Sequence, residues 1–169
     1  MGLDISYYVN AKLVPDAERD DDGFPTDDSL VLAYVNSAFA ERADDIQHDA
    51  IYAYDDSGAF RAGSYGDYNE WRDQLAEMAG YPALAEAPNA SHSVHAAAAW
   101  GGHVGPFHPL INFSDCEGII GPETSAQLAK DFAEHQAKAD EIGGYFAEKY
   151  RDWRAAFEAV ADNGFVDFH

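Results

Sequence analysis

The sequence predicts one α+β domain, in which a small antiparallel sheet from the N-terminal half is packed by one central helix and a C-terminal helix pair. Early segments alternate apolar and polar residues, as strands do, and later segments repeat apolar residues at helical spacing. The 169 residues include ten Tyr, ten Phe and three Trp, enough to build a substantial core. We therefore expect a single domain over residues 1–169, with an acidic loop near residues 15–28.

Strands are predicted in the first third of the chain. Leu3, Ile5 and Tyr7 alternate with other residues, which indicates a half-buried strand, and residues 30–35 are rich in β-forming side chains. Residues 50–54 and 59–62 flank the turn-forming run DDSG, and this arrangement predicts a β-hairpin.

The central helix is predicted to follow Asp67, which is expected to cap it, and to end at Gly80. Helical spacing places five large or apolar residues on one face of this helix. They are Tyr68, Trp71, Leu75, Met78 and Ala79.

The C-terminal helix pair begins at Pro122, a residue suited to the first helical position, and is interrupted by Gly143 and Gly144. The second helix repeats apolar residues at spacings of three and four, which is typical of a core-facing helix. These residues are Phe146, Tyr150, Trp153, Phe157 and Val160. Residues 165–168 are expected to return as a short edge strand.

The formal net charge of −21 limits the classes of partner. Such a charge repels nucleic acid and anionic membranes, so we expect no direct nucleic-acid binding and no membrane binding. It favours metal cations and proteins with a basic surface, which a DNA mimic would bind. Solubility and adaptation to a salty cytoplasm explain the same charge. The acidic loop imitates the first half of a calcium-binding loop, but Ser29 stands where the twelfth position requires Glu, so we interpret it as a solvated loop.

A stretch dense in Gly and Pro, residues 100–130, holds the single cysteine of the chain and is a candidate site for a divalent cation. The residue types suit zinc, although no established zinc-binding spacing is present. The candidate ligands are His103, His108, Asp115, Cys116 and Glu117. His92 and His95, on a helix expected over residues 91–99, are further candidates.

Three other interpretations of this stretch remain open. A phosphate site at the helix entrance over residues 118–122 would offer backbone donors, but Asp115, Glu117 and Glu123 argue against an anion unless a cation lies between them. Cys116 as a nucleophile would need His103 or His108 as a base, but the flanking acids would raise the pKa of its thiol. A structural interpretation is that Asn, Ser and Asp bond to nearby backbone in turns, while Cys116 packs as a small apolar side chain.

A small-molecule site, nucleotide-like and assisted by a cation, is the second functional interpretation. It would form where the 63–72 and 103–117 loops meet, because these irregular stretches combine aromatic, Arg, His and carboxylate side chains. The competing interpretation is that the Trp and Tyr residues fill the core. The candidate ligand-binding residues are Tyr65, Asn69, Trp71, Arg72, Asn112, Ser114 and Asp115.

Four blocks of the chain resemble a family of small uncharacterised proteins from bacteriophages and prophages. The blocks are MGLDIS at residues 1–6, FRAGSY at 60–65, INFSDCEG at 111–118 and ADNG at 161–164. This family carries no established activity, so the resemblance implies no catalytic residue. It implies a phage accessory protein in the bacterial cytoplasm, and such proteins often counter host defences.

The sequence and this resemblance together predict a non-enzymatic phage accessory protein. It would bind a host factor, such as a nucleic-acid-binding defence protein, through its acidic surface. The small-molecule site and a structural or assembly role in the virion are the alternatives.

Overall fold

The centre of the structure is a four-stranded antiparallel sheet in which strands far apart in sequence lie side by side. This computed structural model describes residues 2–84 and 94–169. The strand order is β5 (Asp56–Ser64), β1 (Gly2–Val9), β7 (Gly164–Phe168) and β6 (Gly118–Ile120). All three neighbouring pairs are antiparallel. We call this sheet the central sheet, and it confirms the antiparallel arrangement predicted from the sequence.

One face of the central sheet is apolar, because alternate residues of a strand point to the same side. Leu3 and Ile5 of β1 are buried on that side, together with Val166 and Phe168 of β7. Helices α1 (Tyr65–Met78), α4 (Pro122–Ile142) and α5 (Gly144–Val160) cover it, with the short helices α2 (Ala96–Trp100) and α3 (His108–Ile111) beside them. The predicted central helix and C-terminal helix pair are therefore confirmed.

The core between the helices and this face, which we call the helix-side core, is dominated by aromatic rings. All five residues predicted to face the core from the last helix are at most 4% exposed. Trp153 is fully buried, and its ring lies 5.0–5.9 Å, between centroids, from five other rings. They belong to Phe60, Tyr68, Trp71, Phe157 and Phe168. Gly143 separates α4 from α5, and Gly144 is the first residue of α5; their φ angles of 70° and 57° lie in a region that favours glycine.

A second, smaller sheet packs on part of the other face of the central sheet. Its strand order is β2 (Lys12–Leu13), β4 (Ala50–Ala53) and β3 (Leu30–Ala33), again antiparallel, and a 3-10 helix over Ser37–Arg42 follows β3. Between the sheets lies a group of buried residues that we call the small cluster. Its members are Ala33, Val35, Ala43, Ile46, Tyr52, Ile119 and Phe165.

The predicted hairpin over residues 50–62 is wrong, because its two strands belong to different sheets. β4 pairs with β2 and β3, whereas β5 pairs with β1. The amide of Asp55 donates to the carbonyl of Val9 (2.9 Å), and its carboxylate accepts from Asn10 and Lys12. These bonds fasten the chain to the end of β1 and prevent its return along β4.

Gly58, which the sequence places in a turn, lies within β5 opposite Tyr7. A Cβ at this position would lie 2.2 Å from the phenol ring of Tyr7. The absence of a side chain at Gly58 therefore leaves room for the ring of Tyr7 to lie across β5.

The predicted edge strand at the C-terminus is an interior strand, because β7 pairs with β1 on one side and with β6 on the other. Strand β6 was not predicted. It has three residues, all buried, and lies within residues 100–130, where the frequent Gly and Pro residues predicted irregular structure. The central sheet therefore draws strands from both halves of the chain. Among the residues that the structure describes, none lies in a helix long and apolar enough to cross a bilayer.

Candidate functional site

Helix α1 positions the first group of candidate residues, and it begins earlier than predicted. Ser64 caps it: its hydroxyl accepts from the amide of Asp67, and the Asp67 carboxylate accepts from the amide of Ser64, both at 3.1 Å. The prediction that Asp67 is the cap is therefore wrong, because Asp67 is the third helical residue of a capping box. Asn69 and Arg72 lie three residues apart on one side of this helix. Both side chains donate hydrogen bonds to the loop before β6.

Arg72 joins α1 to that loop from a buried position, with 5% of its surface exposed. Its Nη1 donates to the carbonyl of Phe113 (2.7 Å), and its Nη2 donates to the side-chain oxygen of Asn69. The amide nitrogen of Asn69 donates to the carbonyl of Tyr65 (2.8 Å) and to the Asp115 carboxylate (2.9 Å). The guanidinium also lies 5.0 Å from the ring centroid of Tyr68, a cation–π distance.

Two polar atoms in this network are buried without a hydrogen-bond partner among the described residues: the hydroxyl of Tyr68 and Nε of Arg72. Burial raises the pKa of Tyr68 to about 12, with Arg72 opposing and Asp115 adding to the shift. The phenol therefore stays neutral at physiological pH. Together, these groups form a network that fixes the loop to the helix.

The loop itself is a tight turn built around Ser114. The Ser114 hydroxyl accepts from the amides of Cys116 (3.2 Å) and Glu117 (3.1 Å) and lies 3.4 Å from the Cys116 sulfur. The side chain of Asn36 donates to the carbonyl of Glu117 (3.1 Å). These bonds match the structural interpretation for Ser114, whereas the Asp115 carboxylate bonds to the distant side chain of Asn69. Cys116 is exposed and does not pack as a small buried side chain.

The structure brings together three of the seven predicted ligand-binding side chains, namely Asn69, Arg72 and Asp115, and Tyr65 joins them through its carbonyl. It does not bring Trp71 to them. That side chain is 3% exposed in the helix-side core, and its indole nitrogen donates to the carbonyl of Phe146 (3.2 Å). Asn112 ends α3, where its amide donates to the carbonyl of His108 (2.9 Å). The polar groups that meet here bond to one another.

The metal candidates do not converge. Among the described residues there is no group of three or more His, Cys, Asp or Glu side chains placed to hold a metal ion. His103 packs against the ring of Tyr81 at 4.8 Å, and Nδ1 of His95 lies 2.8 Å from the carbonyl of Tyr81. Burial, Arg42 and His103 lower the pKa of His108, against a backbone hydrogen bond that raises it. His92 and the start of the predicted 91–99 helix lie outside the described residues.

A group of polar residues on the central sheet was not predicted. On the face turned away from the helices, Ser6 Oγ lies 2.9 Å from Nε2 of His169, and Asp4 pairs with Arg61 at 3.0 Å. Asp167 stands directly opposite Ser6 on the neighbouring strand. We call these five residues, Asp4, Ser6, Arg61, Asp167 and His169, the polar face.

Asp167 is the most perturbed carboxyl group of the polar face. It is mostly buried, and burial raises its pKa to about 7. Its carboxyl group makes no hydrogen bond and no ion pair within the described residues. Burial also raises the pKa of the neighbouring Tyr8, with Asp167 adding to the shift and Ser6 opposing it. Asp167 and His169 alternate with apolar residues in the sequence, which indicates that both lie on the polar side of a strand. The sequence did not show that this strand pairs with β1, so it did not place Asp167 opposite Ser6.

The strongest concentration of charge lies in the chain from the end of β1 to the first residues of β5. Residues 10–58, which we call the acidic segment, contain thirteen Asp or Glu and three Lys or Arg. All seven acids of the predicted acidic loop are exposed, which agrees with a solvated loop. All three basic residues pair within the segment, Lys12 with Asp55 at 3.1 Å, Arg19 with Asp49 at 3.2 Å and Arg42 with Glu41 at 3.9 Å.

The acidic segment also contains large apolar side chains that are exposed. Leu13, Phe24 and Tyr34 have 42%, 56% and 47% of their surfaces exposed. Comparison of the chain with protein-family models, with curated proteins and with solved structures found no match.

Proposed function

We propose that this protein is a non-enzymatic phage accessory protein that binds a bacterial host protein with a basic surface, such as a nucleic-acid-binding defence protein. The observation that carries the proposal is the acidic segment, which exposes both its many carboxylates and the side chains of Leu13, Phe24 and Tyr34. The small sheet supplies a folded support for this surface.

Charge and apolar contact would contribute differently to such binding. The carboxylates would speed encounter with a basic partner and select against acidic ones, while buried apolar anchors would slow dissociation. The ion pairs of Lys12, Arg19 and Arg42 support this division, because they engage all three cations of the segment in contacts within the protein. The phage context rests on the sequence resemblance.

The test is a pull-down from host lysate with wild-type protein and two triple variants of equal charge. The first variant carries Asp21→Asn, Asp22→Asn and Asp28→Asn, at exposed positions whose side chains make no hydrogen bond or ion pair among the described residues. The control carries Glu134→Gln, Glu141→Gln and Asp162→Asn, exposed residues outside the acidic segment. Asp20 and Asp27 are left intact because their carboxylates bond to loop amides.

We expect a basic partner whose affinity falls about tenfold or more between low and high salt, as screening of charge requires. The first variant should weaken binding and the control should not. Equal effects of the two variants, or a partner retained at high salt, would contradict binding through the acidic segment. Recovery of the protein as a stoichiometric component of purified virions would favour the assembly role instead.

A further inference from the structure

The face of the central sheet opposite the helices is divided into two parts. The small sheet covers the apolar part, where Phe165 and Ile119 contribute to the small cluster and Tyr8 packs against it. The remaining part is the polar face, where the side chains of Asp4 and Arg61 are about half exposed, at 46% and 58%. A carboxyl group, a hydroxyl and an imidazole therefore lie together beside a packed apolar wall.

The cationic and basic groups nearest this face are already engaged. Arg61 donates from one nitrogen to both carboxylate oxygens of Asp4, each at 3.0 Å, and His169 bonds to Ser6. Lys12 is held by Asp55 at the far end of β1. Asp167, between these groups, is left as the carboxyl group without an internal cation.

We propose that the polar face is a docking site for a cationic side chain of the partner, an ammonium or guanidinium group that pairs with Asp167 and lies beside the oxygens of Ser6 and Tyr8. The identity of the partner rests on the function proposed above. Within that function, Asp167 would be one position at which a Lys or Arg side chain of the partner is recognised.

The energetic reason is that a carboxylate taken out of water without a counter-charge is unstable, whereas the same carboxylate paired with a cation is not. In the free protein, the proton bound by Asp167 near neutral pH relieves this cost. A bound cation would replace the proton. Binding at this face should therefore release a proton and tighten as the pH rises.

Other charged groups around Asp167 modify this dependence. Asp4 and Tyr8 face it from β1, Arg61 lies beyond Asp4 on β5, His169 lies two residues along its own strand, and the Ile119 side chain of β6 is neutral. With an Asp167 pKa of about 7, affinity should rise up to about tenfold from pH 6 to pH 8.

The experiment is a carbon-detected NMR titration of the Asp167 carboxyl group in the wild-type protein. The probe is N-acetyl-arginine amide, the control ligand is the uncharged N-acetyl-citrulline amide, and the ionic strength is held constant. We expect the arginine compound to lower the pKa of Asp167 and the citrulline compound to leave it unchanged. Asp167→Asn should abolish saturable binding of the probe, while Asp162→Asn, an exposed acid outside the polar face, should leave it intact.

An Asp167 pKa that the arginine compound does not move, or probe binding that survives Asp167→Asn, would overturn the docking site. Because the titration uses a small probe and wild-type protein, it needs no partner. The salt-sensitive partner of the acidic segment can therefore exist without this site, and the two failures are distinguishable.

Discussion

The helix-side core and the small cluster lie on opposite faces of the same sheet, yet they are built from different materials. The helix-side core is made of interlocked aromatic rings supplied by helices with regular apolar spacing. The small cluster is made mainly of Ala, Val and Ile around Tyr52 and Phe165, and a small sheet with highly charged connections covers it. The helix side therefore buries the larger part of the core, while the other side carries the small cluster, the acidic segment and the polar face.

The largest expected effect is the loss of a ring at the centre of the helix-side core. Trp153→Ala should reduce the free energy of unfolding by about 3–5 kcal/mol, because it removes contacts with five rings and leaves a cavity. Ile46→Ala in the small cluster, where the residue is 8% exposed, should cost about 2 kcal/mol or less. Urea denaturation measures both, and equal losses would break the comparison.

The second prediction concerns the polar face. Asp167→Asn should stabilise the protein by up to about 4 kcal/mol at pH 8 and by little near pH 4. The folded pKa of about 7 lies above the unfolded value, so the folded state holds its proton more tightly. Stability from this group is present below pH 4 and is lost as the pH rises towards 7. Urea midpoints of both proteins across this range give the difference, and Asp162→Asn controls for the change in net charge.

The third prediction tests the link between the two regions, since β6 gives Ile120 to the helix-side core and Ile119 to the small cluster. Arg72→Met should cost about 2–3 kcal/mol, because it removes the bond to the Phe113 carbonyl and leaves polar groups unpaired. Hydrogen exchange should become faster at both isoleucines. Arg151→Met, which breaks an exposed ion pair with Asp140, should cost less than about 1 kcal/mol. Faster exchange at Ile120 alone would show that the loop supports one region and not both.

The smallest effect is expected from salt. At low ionic strength, amides of β3 and β4 should exchange faster than those of β1 and β7, because like charges crowd the acidic segment. Added salt should raise their opening free energy by about 1 kcal/mol through screening. Amides of α5 serve as the internal reference, and an equal change there would remove the electrostatic distinction.

The parts of the fold that the sequence predicted are those governed by local rules. The apolar spacing of α5, the Pro122 start of α4 and the alternation in β1 each follow from residues close together in the chain. The errors involve distant contacts. The sequence predicts a turn at Asp55, because the bonds that this residue makes to Val9 and Lys12 are not visible in it. Strand β6 has only three residues, which is too short to show a periodic pattern.

For the candidate site as well, features set by nearby residues could be predicted, whereas features set by distant contacts could not. The sequence indicated that α1 and the loop at residues 112–117 would meet, and Asn69, Arg72 and Asp115 do so. That these groups would satisfy one another could not be read from spacing, because it depends on the burial of Arg72. The polar face was missed since it needs the pairing of β1 with β7, two segments at opposite ends of the sequence.

That pairing has a consequence for how the polypeptide matures. β1 can meet β5 early in synthesis, but its other side stays open until residues 164–168 leave the ribosome. An open edge offers amides and carbonyls to any neighbouring chain, so the nascent protein is exposed to aggregation until these residues are made. Closing a contact across so much of the polymer also slows folding. The backbone bonds between Asp4 and His169 belong to this final closure.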